Sequence, residues 1–208
     1  MTGEVKENLL RATVRHVPFN GWSERALKAG AADIGVAAET AHILFPNGGV
    51  ELIKLHSELA DKEMERRLSE AGLGETRVRN RVSHALKTRL EIASDERELV
   101  RQALVLLALP RNAGLGARIL YCTVDAIWRA AGDESSDWNF YTKRALLSGV
   151  YTTAVLYWLQ DASPEFEDTK AFVDRRILDV MRLPMEINKL RRPFPSFVRR
   201  VRPQAPRL

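Results

Sequence analysis

The chain predicts an all-α fold, a bundle of about nine helices, and three observations carry that expectation. Apolar residues recur at i, i+3, i+4 and i+7 in window after window. Proline, glycine and asparagine clusters separate those windows, and no segment sustains the period-two alternation of a half-buried strand. At 208 residues, 45% hydrophobic and 28% charged, the composition is that of a soluble globular protein of ordinary domain size.

The first helix is expected from about Lys6 to Val17, with Leu9, Leu10, Thr13 and Val17 on one face and Pro18-Phe-Asn-Gly after it. A second runs from Ser23, as N-cap, to Ile34, stopped by Gly35. A third covers about Ala37 to Leu44 and closes at Pro46-Asn-Gly-Gly, where Asn47 is placed to cap the next helix. That helix carries Leu52, Ile53, Leu55, Leu59, Met64 and Leu68 as far as Gly72-Leu-Gly. Thr76 to Ala93 follows. The next helix is capped by Ser94 or Asp95, has Asp95, Glu96 and Glu98 near the positive end of its dipole, and ends at Pro110. Asn112 to Ala131 and Ser136 to Gln160 come next. Ser163-Pro164 opens the last helix, with serine at N-cap and proline at N1, and it ends near Met181. Three regions are expected: a helix-turn-helix-like set of helices over residues 1–72, a ligand-binding and dimerisation region over 73–181, and a basic tail over 182–208.

Charge sits mainly in that tail. Arg182 to Leu208 holds eight basic residues and one acid, so the body before it carries a net −2 of the chain's +5. A mildly acidic body is no general argument for nucleic-acid binding. The tail interleaves Leu190, Phe194 and Phe197 with Arg191, Arg192, Arg199 and Arg200, which leaves two readings open: a disordered basic tail, or an interfacial segment meeting anionic lipid. Pro193, Pro195, Pro203 and Pro206 are expected to break any long helix there. The apolar run from Ala103 to Pro110 is far shorter than the roughly 20 residues of a membrane span, and no signal sequence opens the chain.

Chemistry-bearing motifs are few. Cys122 is the one cysteine, which excludes disulfides and cysteine-based zinc sites and predicts a reducing compartment; it reads as a buried packing residue. Glu39-Thr-Ala-His42 has the Glu-x-x-His spacing of a di-iron ligand pair. The residues three before His16, His56 and His84 are Thr13, Ile53 and Arg81, so the second pair is missing and no metal or other cofactor is expected. Gly114-Leu-Gly116 follows no strand and is no phosphate loop. No catalytic constellation emerges. The helices from Asn112 onward carry wide apolar stripes (Leu115, Ile119, Leu120, Val124, Ile127; Leu146, Leu147, Val150, Val155, Leu156, Leu159) with small residues between them. Two readings stay open: a helical core with a dimer face, or a cavity for an elongated apolar ligand.

Residues Ala29–Leu52, AGAADIGVAAETAHILFPNGGVEL, resemble the DNA-binding head of TetR-type regulators. In that pattern a tyrosine ends the recognition helix and a lysine begins the next; here those positions read His42 and Gly49, and Glu39 adds a carboxylate. Phosphate contacts are lost and a repulsion is gained, so nucleic acid is not an expected partner.

A second resemblance covers about Asn8 to Met181. At Leu109-Pro-x-Asn112, Thr123-Val-Asp-Ala-Ile-Trp128, Ala131-Gly-Asp133, Ser136-Asp137, Asn139, Tyr141-Thr-Lys-Arg-Ala145 and Phe166-Glu-Asp-Thr169, the chain resembles the coenzyme Q (ubiquinone) biosynthesis accessory lipid-binding family, whose fold is TetR-like. The resemblance implies a homodimer that does no chemistry, binds isoprenoid quinone intermediates or phospholipid, and presents the former to the pathway's di-iron demethoxyubiquinone hydroxylase. For the apolar cavity, Leu104, Leu107, Leu120, Val124, Ile127, Leu147, Val150 and Tyr151 are the expected lining. The resemblance places the hydroxylase against Leu109, Pro110, Asn112, Phe140, Tyr141 and Arg144. The tail, through Leu190, Arg191, Arg192, Phe194, Phe197, Arg199 and Arg200, is the expected membrane contact. With no transit peptide at its start, the chain is expected to be a bacterial member, cytoplasmic and peripheral at the inner membrane. The alternative is a TetR-type ligand-responsive transcriptional repressor.

Overall fold

The computed structural model describes residues 2–72, 76–132 and 138–190, with side chains for 3–72, 76–132 and 141–180. Among the described residues there are ten α-helices and no strand. In chain order they are α1 (Thr2–Val14), α2 (Val17–Asn20), α3 (Glu24–Asp33), α4 (Ala38–Leu44), α5 (Gly49–Ala71), α6 (Val78–Ile92), α7 (Arg97–Leu107), α8 (Ala113–Ala130), α9 (Trp138–Trp158) and α10 (Glu167–Leu190). The all-α expectation holds. The expected first helix is two: Pro18 has no N–H to give the Val14 carbonyl, so α1 stops there, and Pro18 sits instead in the first turn of the short α2.

Two apolar clusters hold the bundle. The first joins α1, α3, α4 and the start of α5 through Leu9, Leu10, Leu27, Phe45 and Leu52, all at most 2% exposed. Ser23 caps α3 as expected, accepting from the Ala26 N–H, and Gly35 turns the chain into α4 at φ +68°. Two close approaches fix this head. A Cβ on Gly30 would lie 2.5 Å from the Thr13 backbone nitrogen, and one on Gly49 would lie 1.9 Å from the Trp22 carbonyl oxygen. The glycine that departs from the TetR lysine position is therefore demanded by packing in this chain.

The second cluster, from Met64 and Leu86 to Trp128, Trp158 and Val173, is built by α5, α6, α8, α9 and α10. The 23-residue α5 belongs to both. Trp22 ties the head to α7 by donating its indole N–H to the Leu99 carbonyl at 2.9 Å.

Helix starts depart from expectation in three places. Asn47 does not cap α5; its backbone N–H donates to Glu51, and Gly48 at φ +56° leads into the helix. Ser94 and Asp95 form a 3-10 turn and α7 begins at Arg97, because Glu96 is held by His56. Pro164 likewise sits in a 3-10 turn ahead of α10. Ser163 still accepts from the Asp168 N–H, but Asp161 does most of the capping, taking the backbone N–H groups of Ser163 and Thr169 and the Thr169 hydroxyl. At the far end α10 runs through Pro184 to Leu190, past the expected stop near Met181; residues 191–208 lie outside the described residues. No single helix among the described residues is long and apolar enough to cross a membrane.

Candidate functional site

α7 and α8 meet at 97°, and that elbow keeps α7 from filling the space between α5, α6, α8 and α9. Pro110 starts the turn and Asn112 locks it by donating its side-chain N–H to the Leu106 carbonyl at 2.8 Å. The space left is a cavity of about 310 Å³, at the lower end of the range typical of small-molecule pockets.

Its walls are mostly apolar: Leu99, Val100, Ala103, Leu104 and Leu107 from α7, Ile119 and Leu120 from α8, Val155 and Leu156 from α9. Gly116 brings α8 against Leu107, where an added Cβ would sit 3.4 Å from the leucine Cβ. Ala108, Thr152 and Leu156 line the cavity and are also exposed, so its mouth lies between the end of α7 and the C-terminal part of α9.

One part of the wall is polar. His56 and Ser57 come from α5, Arg89 from α6, Thr123 from α8 and Tyr151 from α9. Arg89, 7% exposed, donates from Nε to Asp61 Oδ1 at 2.7 Å and from Nη2 to Ser57 at 3.3 Å. Thr123 donates to the other Asp61 oxygen at 2.9 Å. Burial raises the Tyr151 phenol above its usual range, against the pull of Arg89, so the hydroxyl keeps its proton at neutral pH. His56 meets Glu96 at 2.9 Å and packs edge-on to Trp22. That hydrogen bond holds the Glu96 carboxyl below its usual range, against burial.

Of the residues expected at a lipid site, Leu104, Leu107, Leu120 and Tyr151 line this cavity. Val124, Ile127, Leu147 and Val150 are at most 5% exposed and pack in the second cluster, off the cavity wall. The expected partner face divides. Leu109, Pro110 and Asn112 form the elbow, with Leu109 38% exposed, and Tyr141 is 69% exposed at the start of α9. Arg144 is a correction: it is 4% exposed and its Nε donates to Asp125 at 2.7 Å, so it is not offered to a partner. Since α8 separates Asn112 from Asp125 by about 20 Å at 1.5 Å per residue, Tyr141 and the elbow lie toward opposite ends of that helix. The Phe140 and Leu190 side chains, and all of Arg191, Arg192, Phe194, Phe197, Arg199 and Arg200, lie outside the described residues.

Cys122 is also a correction. It is exposed, because Thr123, Val124 and Ile127 take the inward face of α8 and leave Tyr121 and Cys122 outside. The sequence reading missed the polar wall. A signal was present: Asp61 and Arg89 each interrupt the apolar stripe of their helix, Asp61 between Ile53 and Met64 on α5 and Arg89 between Leu86 and Leu90 on α6.

Residues 113–184 match the COQ9 family. The chain is 35% identical over 194 residues to the protein named "Ubiquinone biosynthesis protein COQ9, mitochondrial" of Xenopus tropicalis, covering 90% of this chain and 61% of that one. It is 36% identical over 190 residues to the protein of the same name from Rattus norvegicus, and 34% over 187 residues to that of Homo sapiens, covering 86% of this chain and 60% and 58% of theirs. The chain thus spans about three fifths of the length of these curated relatives. A TetR transcriptional regulator from Nitrosomonas europaea shares the fold, with a TM-score of 0.69 at 19% identity over 86% of this chain and 98% of that one.

Proposed function

The chain belongs to the COQ9 family, and on that premise we propose that it is a non-enzymatic accessory protein of ubiquinone biosynthesis that binds an isoprenoid quinone intermediate and presents it to the di-iron demethoxyubiquinone hydroxylase. The observation that carries this reading is the cavity of about 310 Å³, apolar along α7, α8 and α9 and open between Ala108 and Leu156. An isoprenoid chain has no hydrogen-bonding groups, so apolar walls hold it by area removed from water, about 25 cal/mol per Å². A volume near the lower limit of such sites suits a head group and the first part of a tail, with the remainder leaving through the mouth.

The hydroxylase docks, in this reading, beside the mouth at the Leu109–Asn112 elbow or at the Tyr141 end of α9. Exposed Tyr157, stacked on Phe172 at 4.8 Å, supplies apolar surface for a homodimer contact along α9 and α10. The membrane lies under the C-terminal segment, whose arginines and phenylalanines suit an anionic interface.

A repressor role finds less support. The outward residues of α4 are Glu39, Thr40, His42 and Ile43, which bring no lysine or arginine to a phosphate backbone. Mass spectrometry of lipid extracted from the purified protein tests the reading. It predicts a prenyl quinone at near-stoichiometric amount. Lipid-free protein that shifts promoter DNA at physiological salt contradicts it.

A further inference from the structure

We propose that the polar wall of the cavity is a head-group site: the Tyr151 hydroxyl and the free edge of the Arg89 guanidinium donate hydrogen bonds to an uncharged oxygen acceptor, the carbonyl of a quinone ring, so that the ligand enters ring first. This rests on the quinone-carrier reading above and adds an orientation and a selectivity to it.

Two donors on the polar wall are unused. Arg89 spends Nε on Asp61 and Nη2 on Ser57; among the described residues Nη1 has no acceptor. Tyr151 lines the same cavity and its hydroxyl meets no hydrogen-bond partner among the described residues. Both residues line the cavity, so an acceptor placed there gives partners to donors that the protein leaves without one. Water can serve in the free protein, and a ligand oxygen replaces it.

Charge then selects the acceptor. Asp61 neutralises Arg89 at 2.7 Å, and Glu96 stands against His56 at 2.9 Å. Neither pair leaves net positive charge for a carboxylate or a phosphate, and an unmatched anion in this wall would carry a large desolvation cost. A carbonyl oxygen accepts two hydrogen bonds and brings no charge. The remaining walls, from Val100 to Leu107 and from Ile119 to Leu120, offer the tail only apolar contact on its way to the mouth at Ala108 and Leu156.

Binding of a short-tailed ubiquinone analogue, followed by quenching of tryptophan fluorescence, tests this. An oxygen-free terpene of the same tail and a fatty acid of matched length are the comparison ligands. Tyr151→Phe removes one oxygen atom and keeps the ring. It is expected to weaken quinone binding about tenfold, one hydrogen bond's worth, and to leave the terpene unchanged. The paired exchange Asp61→Asn with Arg89→Gln removes the ion pair without leaving a lone buried charge, and should likewise flatten the preference for quinone over terpene while the protein still melts cooperatively. Equal quinone affinity in wild type and Tyr151→Phe overturns the head-group site and leaves the carrier reading standing. Fatty acid binding as tightly as quinone overturns the selectivity. Wild-type protein that binds neither quinone nor terpene overturns the carrier reading itself.

Discussion

The head, α1 to α4 with the start of α5, and the body, the rest of α5 to α10, are built from the same kind of amphipathic helix, yet they finish their interiors differently. In the head every apolar stripe meets another. Leu9, Ala26, Ala31 and Ala41 are fully buried, and two glycines are pressed against backbone at distances no side chain would fit. In the body the elbow after α7 holds two helices apart and leaves about 310 Å³ unfilled, with polar donors on one wall. Dense packing gives the head its shape and stability, and the helix it presents outward has little to offer DNA. The body gives up packing to keep a space. The difference teaches that likeness to a regulator's fold says nothing of the use made of it; the cavity and its polar wall are where this chain's chemistry lies.

The largest expected effect is in the head. Gly49→Lys must displace the Trp22 carbonyl, and should lower stability by about 3 kcal/mol or more, read as a fall in melting temperature. An unshifted melting curve would mean the head is looser than described. One exchange made in both regions sharpens the contrast. Ala31→Leu overpacks a fully buried site and should cost about 1–3 kcal/mol, whereas Ala103→Leu projects into the cavity, should cost little, and should lower the amount of bound lipid. Equal destabilisation at the two alanines would erase the distinction between a filled and an open interior.

A smaller effect is expected where the body closes on α10. Against the upward push of burial, hydrogen bonds from Ser163 and Thr169 bring the Asp161 carboxyl down from 3.8 to about 2. A carboxyl depressed in the folded state stabilises above its unfolded value. That contribution should be complete above about pH 4 and fade as pH falls toward 2. Asp161→Asn should therefore cost about 1 kcal/mol at neutral pH, and the gap between variant and wild type in denaturant melts should narrow in acid. The smallest effect on stability belongs to Tyr141→Ala, within about 0.5 kcal/mol, since that ring is 69% exposed. Hydroxylase capture should nonetheless fall; undiminished capture would move the docking face to the Leu109–Asn112 elbow.

Much of the fold was legible because helix faces and their punctuation are local. Ser23 as a cap, Gly35 as a turn and the stripe of α8 follow from neighbours within a few residues. The errors arose where distant residues decided. Asp161, not Ser163 alone, caps α10; Glu96 holds the N-cap position of α7 but gives its carboxylate to His56, forty residues away; Arg144 is turned inward by Asp125. The excess of apolar surface on α8 and α9 is legible but leaves a core and a cavity equally open; the family resemblance favours the cavity, and of the residues expected on its wall Leu104, Leu107, Leu120 and Tyr151 stand there. The depth of the cavity is not legible. Which stripe residues touch the void and which, like Val124 and Ile127, touch only other side chains depends on the 97° elbow, and no sequence period encodes that angle. The polar wall comes from four helices, and Asp61 and Arg89 gain their meaning only when α5 and α6 are set side by side.

The central claim is that the cavity of the body is where an isoprenoid quinone sits. Photoaffinity labelling with a prenyl quinone carrying a photoreactive tail, followed by peptide mapping, tests it most directly. The account predicts label on peptides of α7, α8 and α9 around Leu104, Leu120 and Val155, abolished by excess unlabelled quinone and reduced in Ala103→Leu. Label that concentrates on α3 and α4, or that unlabelled quinone fails to displace, would contradict it.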